Sequence, residues 1–371
     1  MSATPTTTRL GPDQAQLRDL MRRLAEATST DAPILSIYLD VRPEAHGERP
    51  GERNALTVAR NRLDEKAGDL EPHTAARESV DRDRQRLAEL LETEDLGGVE
   101  GIAVFACDRI GLWEAIGSPE AFDTEVAAGP TAELFQLARL LDDHVAAVVA
   151  VVDTNTCRLF VTRRGGLVER HGPDEDPAEH RRHDQGGWSQ ARYQRHIDMQ
   201  DRRFAKEAAD AIESLVRRER PQHVILAGDE RIIPILEGEL SEPVRPLVAH
   251  VARIELRASV EDVREEVAPI LSALEEAESM DVADRAIAGW RARDLGVVGV
   301  DDTMAALEAG QVDELVIDET VSADEELRAE LIRQASLTDA HVEVVRGHPV
   351  LARHDGVAAT LRFRIGSEPL R

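Results

Sequence analysis

Between His144 and Asp153 the chain reads Val-Ala-Ala-Val-Val-Ala-Val-Val, with no polar side chain among the eight. A strand of this kind has no face to offer water. It belongs inside a sheet that helices cover on both sides. Two further runs carry the same signature, Gly101 to Ala106 and His223 to Gly228. Between them lie segments whose apolar residues recur at helical spacing. Alternation of the two patterns predicts an α/β protein.

Three α/β domains follow from the order of these patterns. The first, residues 1–140, opens with a helix through Leu17, Leu20, Met21 and Leu24. A strand at Ile34 to Leu39 follows, then amphipathic helices near 54–69 and 74–93, and strands at 101–106 and 112–116. The second, residues 141–280, begins with the apolar run. Asp153 to Thr156 turns into a hairpin partner at Cys157 to Thr162, and a further strand lies at Leu167 and Val168. A polar stretch from His171 to Gly187 has no periodicity and leads into a long helix. A strand at 223–228, a short helix at 230–238 and a strand near 247–249 complete a βαβ pattern. One or two helices over 259–293 bridge to the third domain, residues 281–371. There Met304 to Leu307 lie on a helix, and strands at 312–317, 341–345 and 357–363 flank a helix near 323–336.

Composition bounds the function classes. There are 72 Asp and Glu against 45 Lys and Arg, a net charge of -27 that should repel nucleic acid on average. Aromatic residues are only 3%, so the cores must be aliphatic. No apolar run approaches the roughly 18 residues of a membrane span. Met1 to Pro5 carries neither the charged nor the apolar region of a secretory signal. The two cysteines, Cys107 and Cys157, make no CxxC unit and suggest neither a disulfide framework nor a cysteine metal site. A cytoplasmic location is the expectation.

One segment departs from the average charge. From Arg181 to Lys206 there are seven Lys and Arg against three Asp and Glu. A basic island of this kind is the footprint of a phosphate-contacting element, although a solvated helix face produces the same count. At ~100° per residue, Arg192, Arg195, Met199, Arg202 and Lys206 share one stripe of the helix, while Ile197, Phe204, Ala208, Ile212 and Leu215 share the opposite one. Ahead of the helix stands Gly186-Gly187-Trp188-Ser189-Gln190. Paired glycines let backbone approach a partner closely, and Ser189 suits the N-cap. The helix start then presents free N–H groups to phosphate or an oxyanion.

Gly186-Gly187-Trp188-Ser189-Gln190-Ala191-Arg192-Tyr193, the basic helix and the three-domain layout resemble the archaeal/eukaryotic class-1 release factor superfamily. More narrowly they resemble its bacterial and archaeal branch, which includes the Balon-type ribosome hibernation factors. The resemblance covers about residues 30–371. It implies a release-factor-like fold, with the Gly-Gly loop and long basic helix in the central domain and an L7Ae-like sandwich at the C-terminus. In the family, a Gly-Gly-Gln tip enters the peptidyl transferase centre and promotes hydrolysis of peptidyl-tRNA. Gly186 and Gly187 match the glycines, and Gln190 is the candidate glutamine. Trp188 and Ser189 are inserted between them, which counts against hydrolysis, since the glutamine must hold a fixed place in a tight cavity. A related eukaryotic branch also has a serine before the glutamine, which keeps the hydrolytic reading open.

The Asn-Ile-Lys-Ser type motif of stop-codon recognition does not occur between residues 30 and 140. The resemblance therefore implies a ribosome-associated protein that occupies the A site in hibernation or stress, with elongation factor Tu as the family's partner. Gly186 to Gln190 would form the tip in the peptidyl transferase centre. Arg181, Arg182, Arg192, Arg195, Arg202 and Lys206 would contact rRNA, together with Trp188 and Ser189. The alternative is a peptidyl-tRNA hydrolase or rescue factor in which Gln190 positions water. A third reading is an α/β protein with no ribosome link.

Other clusters rank lower. His180, His183, His196 and Asp184 match no standard ligand spacing, so neither a metal nor a cofactor is expected. Ser189 with His183 or His196 lacks a nucleophile-elbow context. Gly228-Asp229-Glu230, at a strand's C-terminal end, reads first as a turn. Trp113 and Trp290 read as core or interface residues. The acidic run 261–281 reads as a solvated helix face or a surface for a basic partner.

Overall fold

The apolar runs assemble into three sheets in a computed structural model. It describes residues 8–9, 14–42, 50–68, 70–93, 98–142, 146–163, 166–170, 190–319 and 325–364. The chain divides into two compact units, one of residues 1–143 with 278–371 and the other of His144–Ala277.

The first unit holds two sheets. In the N-terminal sheet, β1 (Thr8–Arg9), β2 (Ile34–Asp40), β3 (Gly101–Cys107), β4 (Leu112–Ser118) and β5 (Glu125–Gly129) lie in the order β1-β4-β3-β2-β5. β3 stands antiparallel between β2 and β4, with Ile37 opposite Val104 and Ala103 opposite Ile116. One face, with Leu35, Ile37, Leu39 and Val104, packs on Ala59 and Leu63 of α2 (Pro50–Gly68) and Val80, Leu87 and Leu90 of α3 (Ala75–Thr93). Thr74 starts α3 by accepting the Arg77 N–H at 3.2 Å, an N-cap bond. The other face, with Tyr38, Phe105 and Ile116, packs on α1 (Gln14–Glu26) and α4 (Phe135–Asp142).

That second core continues into the C-terminal part of the chain. There β11 (Gly296–Val298), β12 (Val312–Asp318), β13 (His341–Val345) and β14 (Val357–Leu361) lie in the order β11-β14-β12-β13. Leu315, Ile317, Val342 and Ala359 of this sheet, with α8 (Val300–Glu308) and α9 (Glu325–Leu337), share one cluster with α1 and α4. On the opposite face Val298, Val316 and Ala358 meet Val282, Ala283, Ala286 and Ile287 from the end of α7 (Val260–Ala292). Gly296 permits that approach, because a Cβ there would stand 2.2 Å from the Ala286 carbonyl oxygen. Helices thus cover both faces of this sheet, as in an α/β sandwich.

The second unit is built on β6 (Ala147–Val152), β7 (Cys157–Arg163), β8 (Gly166–Arg170), β9 (His223–Gly228) and β10 (Val248–Ala252), in the order β10-β9-β6-β7-β8. β10, β9 and β6 run parallel, and β7 and β8 return antiparallel as hairpins. The apolar run is covered on both faces, as its composition requires. Val148, Ala150 and Val152 meet α5 (Gln190–Glu219) and α6 (Ile233–Glu239). Val149 and Val151 meet Val263 and Val267 of α7. α7 opens with a reciprocal capping box. Ser259 Oγ accepts the Asp262 N–H at 3.1 Å, and Asp262 Oδ2 accepts the Ser259 N–H at 2.9 Å.

Among the described residues no helix is long and apolar enough to cross a membrane. Cys107 and Cys157 are buried and form no disulfide. β1, β5, α4 and β11 are absent from the sequence expectation, and of the one or two helices expected over 259–293 the structure has one, α7.

Candidate site at the start of the long helix

α5 is the element on which the functional expectation rests, and its inner face is fixed from both ends. Phe204, Ala205, Ala208, Ala209, Ile212 and Leu215 are all buried against the sheet and α6. Asp201, on the same flank, is buried and accepts Arg231 Nη2 at 3.2 Å, which ties the helix to the turn after β9. Nearer the C-terminus, Glu213 Oε1 accepts the Ser241 N–H at 2.8 Å. That bond holds the Glu213 carboxyl below its ordinary range, with Arg217 adding to the effect.

The outer face carries the cations. Met199 is 68% exposed, and Arg202 and Lys206 are exposed beside it. Among the described residues no carboxylate lies within ion-pair distance of Arg202 or Lys206, whereas Arg203 pairs with Glu207 at 3.2 Å. At ~1.5 Å rise per residue, Arg202 and Lys206 stand ~18 and ~24 Å along the axis from Gln190.

Gln190 is the first residue of α5, where backbone N–H groups have no intrahelical acceptor. Arg192 and Arg195 lie in the first two turns, and their side chains are outside the described residues. Arg181, Arg182, Gly186, Gly187, Trp188 and Ser189 are also outside them, as are His180, His183 and Asp184 and the side chain of His196. The segment that holds them leaves from β8. Arg158 anchors that hairpin, with Nε 2.6 Å from Glu169 Oε1 and Nη1 donating to the Leu256 and Ala258 carbonyls at 2.8 and 2.6 Å. Its guanidinium holds the Glu169 carboxyl below the usual range. The segment therefore departs from an anchored hairpin and returns to an anchored helix. Sequence reading missed Arg158, Asp201 and Arg231, whose partners are distant in the chain; an Arg within the apolar hairpin was the only local sign.

The lower-ranked candidates resolve as structural. Asp229 accepts the Arg231 N–H at 2.7 Å and donates its own N–H to the Val152 carbonyl at 2.9 Å, so Gly228 to Glu230 make a turn. Trp113 is half-buried at the α2–α3 core, with Arg86 4.4 Å above its ring. Trp290 packs at the edge of the C-terminal sheet, its ring 5.1 Å from that of His354. Along α7, Glu261, Asp262, Glu265, Glu266 and Glu276 are exposed.

Residues 133–272 match the model of the bacterial archaeo-eukaryotic release factor family 10, a match that includes the whole second unit except its last five residues. Solved structures similar to the chain include an archaeal translation termination factor, aRF1. It is 19% identical, with 96% of this chain and 99% of that one covered and a TM-score of 0.27. Pelota of Archaeoglobus fulgidus is 16% identical over 72% of this chain and 80% of that one, with a TM-score of 0.40. Dom34 of S. cerevisiae, a translation termination-like factor, is 12% identical over 72% and 81%, with a TM-score of 0.41. No curated protein matches the chain. The hairpin, the glycine-bearing segment and the long basic helix all fall inside the stretch that matches this family model.

Proposed function

We propose that this protein is a ribosome-associated, release-factor-like factor that occupies the A site of idle or stressed ribosomes. The segment Gly186 to Gln190 reaches toward the peptidyl transferase centre, and the outer face of α5 lies along rRNA. The observation that carries this reading is the exposed Arg202 and Lys206 on the outer face of α5, the helix that begins at Gln190, inside the stretch that matches the release-factor family model. A chain of net charge -27 reaches RNA only through a local positive surface. Arg202 and Lys206 supply part of one, and Arg181, Arg182, Arg192 and Arg195 extend it in sequence. Trp188 adds a ring that can stack on a base, a contact worth ~1–3 kcal/mol. Elongation factor Tu is the proposed companion at the A site.

The hydrolase reading draws on Gln190. Gln190 is the first residue of α5, at the helix end whose backbone N–H groups lack intrahelical acceptors and can orient water or an oxyanion. One experiment separates the two. Co-sedimentation with vacant and with peptidyl-tRNA-loaded ribosomes is read for bound protein and released peptide together. Binding without release is the expected result. Release that disappears in Gln190→Ala, with binding retained, would instead make the protein a peptidyl-tRNA hydrolase. Failure to sediment with either particle at low salt would remove the ribosome from the account.

A further inference from the structure

Outside the α5 region, the first unit brings together three metal-ligating side chains that are far apart in sequence. Asp142 ends α4, and His341 and Glu343 lie on the edge strand β13. Two residues apart on a strand, His341 and Glu343 point to the same side. His341 Nε2 is 3.8 Å from Asp142 Oδ1 and 3.8 Å from Glu343 Oε2, and the three ligand atoms all lie within 4.8 Å of one another. The other Asp142 oxygen, Oδ2, accepts the Val344 N–H at 2.8 Å. That bond fixes the carboxylate and keeps Oδ1 toward the histidine, as outer hydrogen bonds do for metal ligands.

We propose that Asp142, His341 and Glu343 form a binding site for a divalent transition-metal cation of the Zn2+ class, which staples α4 to β13. Three arguments support it. The Asp142 and Glu343 side chains are only 7% and 10% exposed, so two carboxylates share a shielded space. A dication placed between the two carboxylates would offset their mutual repulsion. The donor set of one imidazole nitrogen and two carboxylate oxygens suits Zn2+ better than Mg2+ or Ca2+, which take all-oxygen shells. Ligands of a tetrahedral Zn2+ stand about 3.4 Å apart at ordinary bond lengths, so shifts of a few tenths of an ångström to about an ångström would seat the ion. Access is provided as well. His341 is 35% exposed, so water can reach the imidazole side of the site and complete the coordination shell.

The test uses the full chain without an affinity tag. Zn2+ is titrated calorimetrically, and metal content is measured after dialysis. One equivalent per chain is expected, with a melting temperature several degrees higher than in chelator. His341→Gln and Glu343→Gln should each weaken Zn2+ binding at least tenfold while leaving the circular dichroism spectrum unchanged. These rim and strand positions are chosen because Asp142 also caps Val344. Substoichiometric binding by the parent protein, or binding unchanged in both variants, would overturn the site and leave His341 as a neighbour of the two carboxylates and nothing more. Ribosome binding is not part of the readout, so this result is independent of the proposed function.

Discussion

At the scale of single residues, Asp83 is the clearest titratable group in the fold. Burial pushes its carboxyl up to about 6, with Asp108 adding to the rise and the Asp108 N–H, Arg86 and Arg82 opposing it. One oxygen accepts that N–H at 3.0 Å, and among the described residues the other has no hydrogen-bond partner. An acid in an unfolded chain titrates at about 3.9, so the native state holds the proton more tightly. The stabilisation from this proton is full below about pH 4 and lost as pH rises through about 6. Asp83→Asn keeps an acceptor and removes the charge. Melting curves from pH 4 to 7 should show the parent losing a few degrees relative to this variant, and parallel curves would refute the assignment. Gly228 offers a second test. Its φ is +120°, and a Cβ would sit 2.0 Å from the Val152 carbonyl oxygen. Gly228→Ala should cost at least the ~1–3 kcal/mol of a strained backbone, read by urea denaturation. Neither effect is legible in the sequence, since Asp83 reads as one more charge on an amphipathic helix and Gly228 as an ordinary turn residue.

At the scale of the element, α5 separates stability from binding. Phe204 is 1% exposed in the core beneath the helix, and Phe204→Ala should cost ~3–5 kcal/mol in urea denaturation. Arg202→Glu with Lys206→Glu, both on the outer face, should change stability by no more than ~0.5 kcal/mol per site. The same double variant should weaken ribosome binding and flatten its salt dependence, by about 0.7 to 0.9 in slope for each phosphate it no longer neutralises. A double variant that binds as the parent does would exclude this face as the RNA surface. The split between the two faces was readable because helical period alone places Phe204, Ala208, Ile212 and Leu215 opposite Arg202 and Lys206. The strands buried on both faces were readable for the same kind of reason. Short elements were not. β5 and β11 have five and three residues and take their register from neighbours, and α4 has only two turns. The proposed metal ligands were unreadable because about 200 residues separate Asp142 from His341, and only folding makes them neighbours.

At the scale of the molecule, the N-terminal and C-terminal parts of the chain share a core, although sequence patterning reads them as separate domains. Leu17, Leu24 and Leu137 from α1 and α4 lie in one cluster with Leu315, Leu331 and Ile332. Polar contacts cross the same boundary. Arg333 Nη1 donates to the Ala25 carbonyl at 3.3 Å, and the Arg328 guanidinium lies 4.2 Å above the Phe135 ring. Separating the parts would uncover apolar side chains of α1, α4 and α9 that meet in this cluster, and an uncovered apolar patch drives association. Residues 1–143 and 278–371 expressed separately should therefore expose apolar surface, bind a hydrophobic dye and aggregate, and mixing them should restore a cooperative melt. His144–Ala277 has its own sheet, with helices on both faces, and should fold alone. If residues 1–143 instead melted cooperatively by themselves, the shared cluster would be a docking contact between two independent domains. In that case the proposed metal, which joins α4 to β13, would tie two domains together rather than two elements of one core.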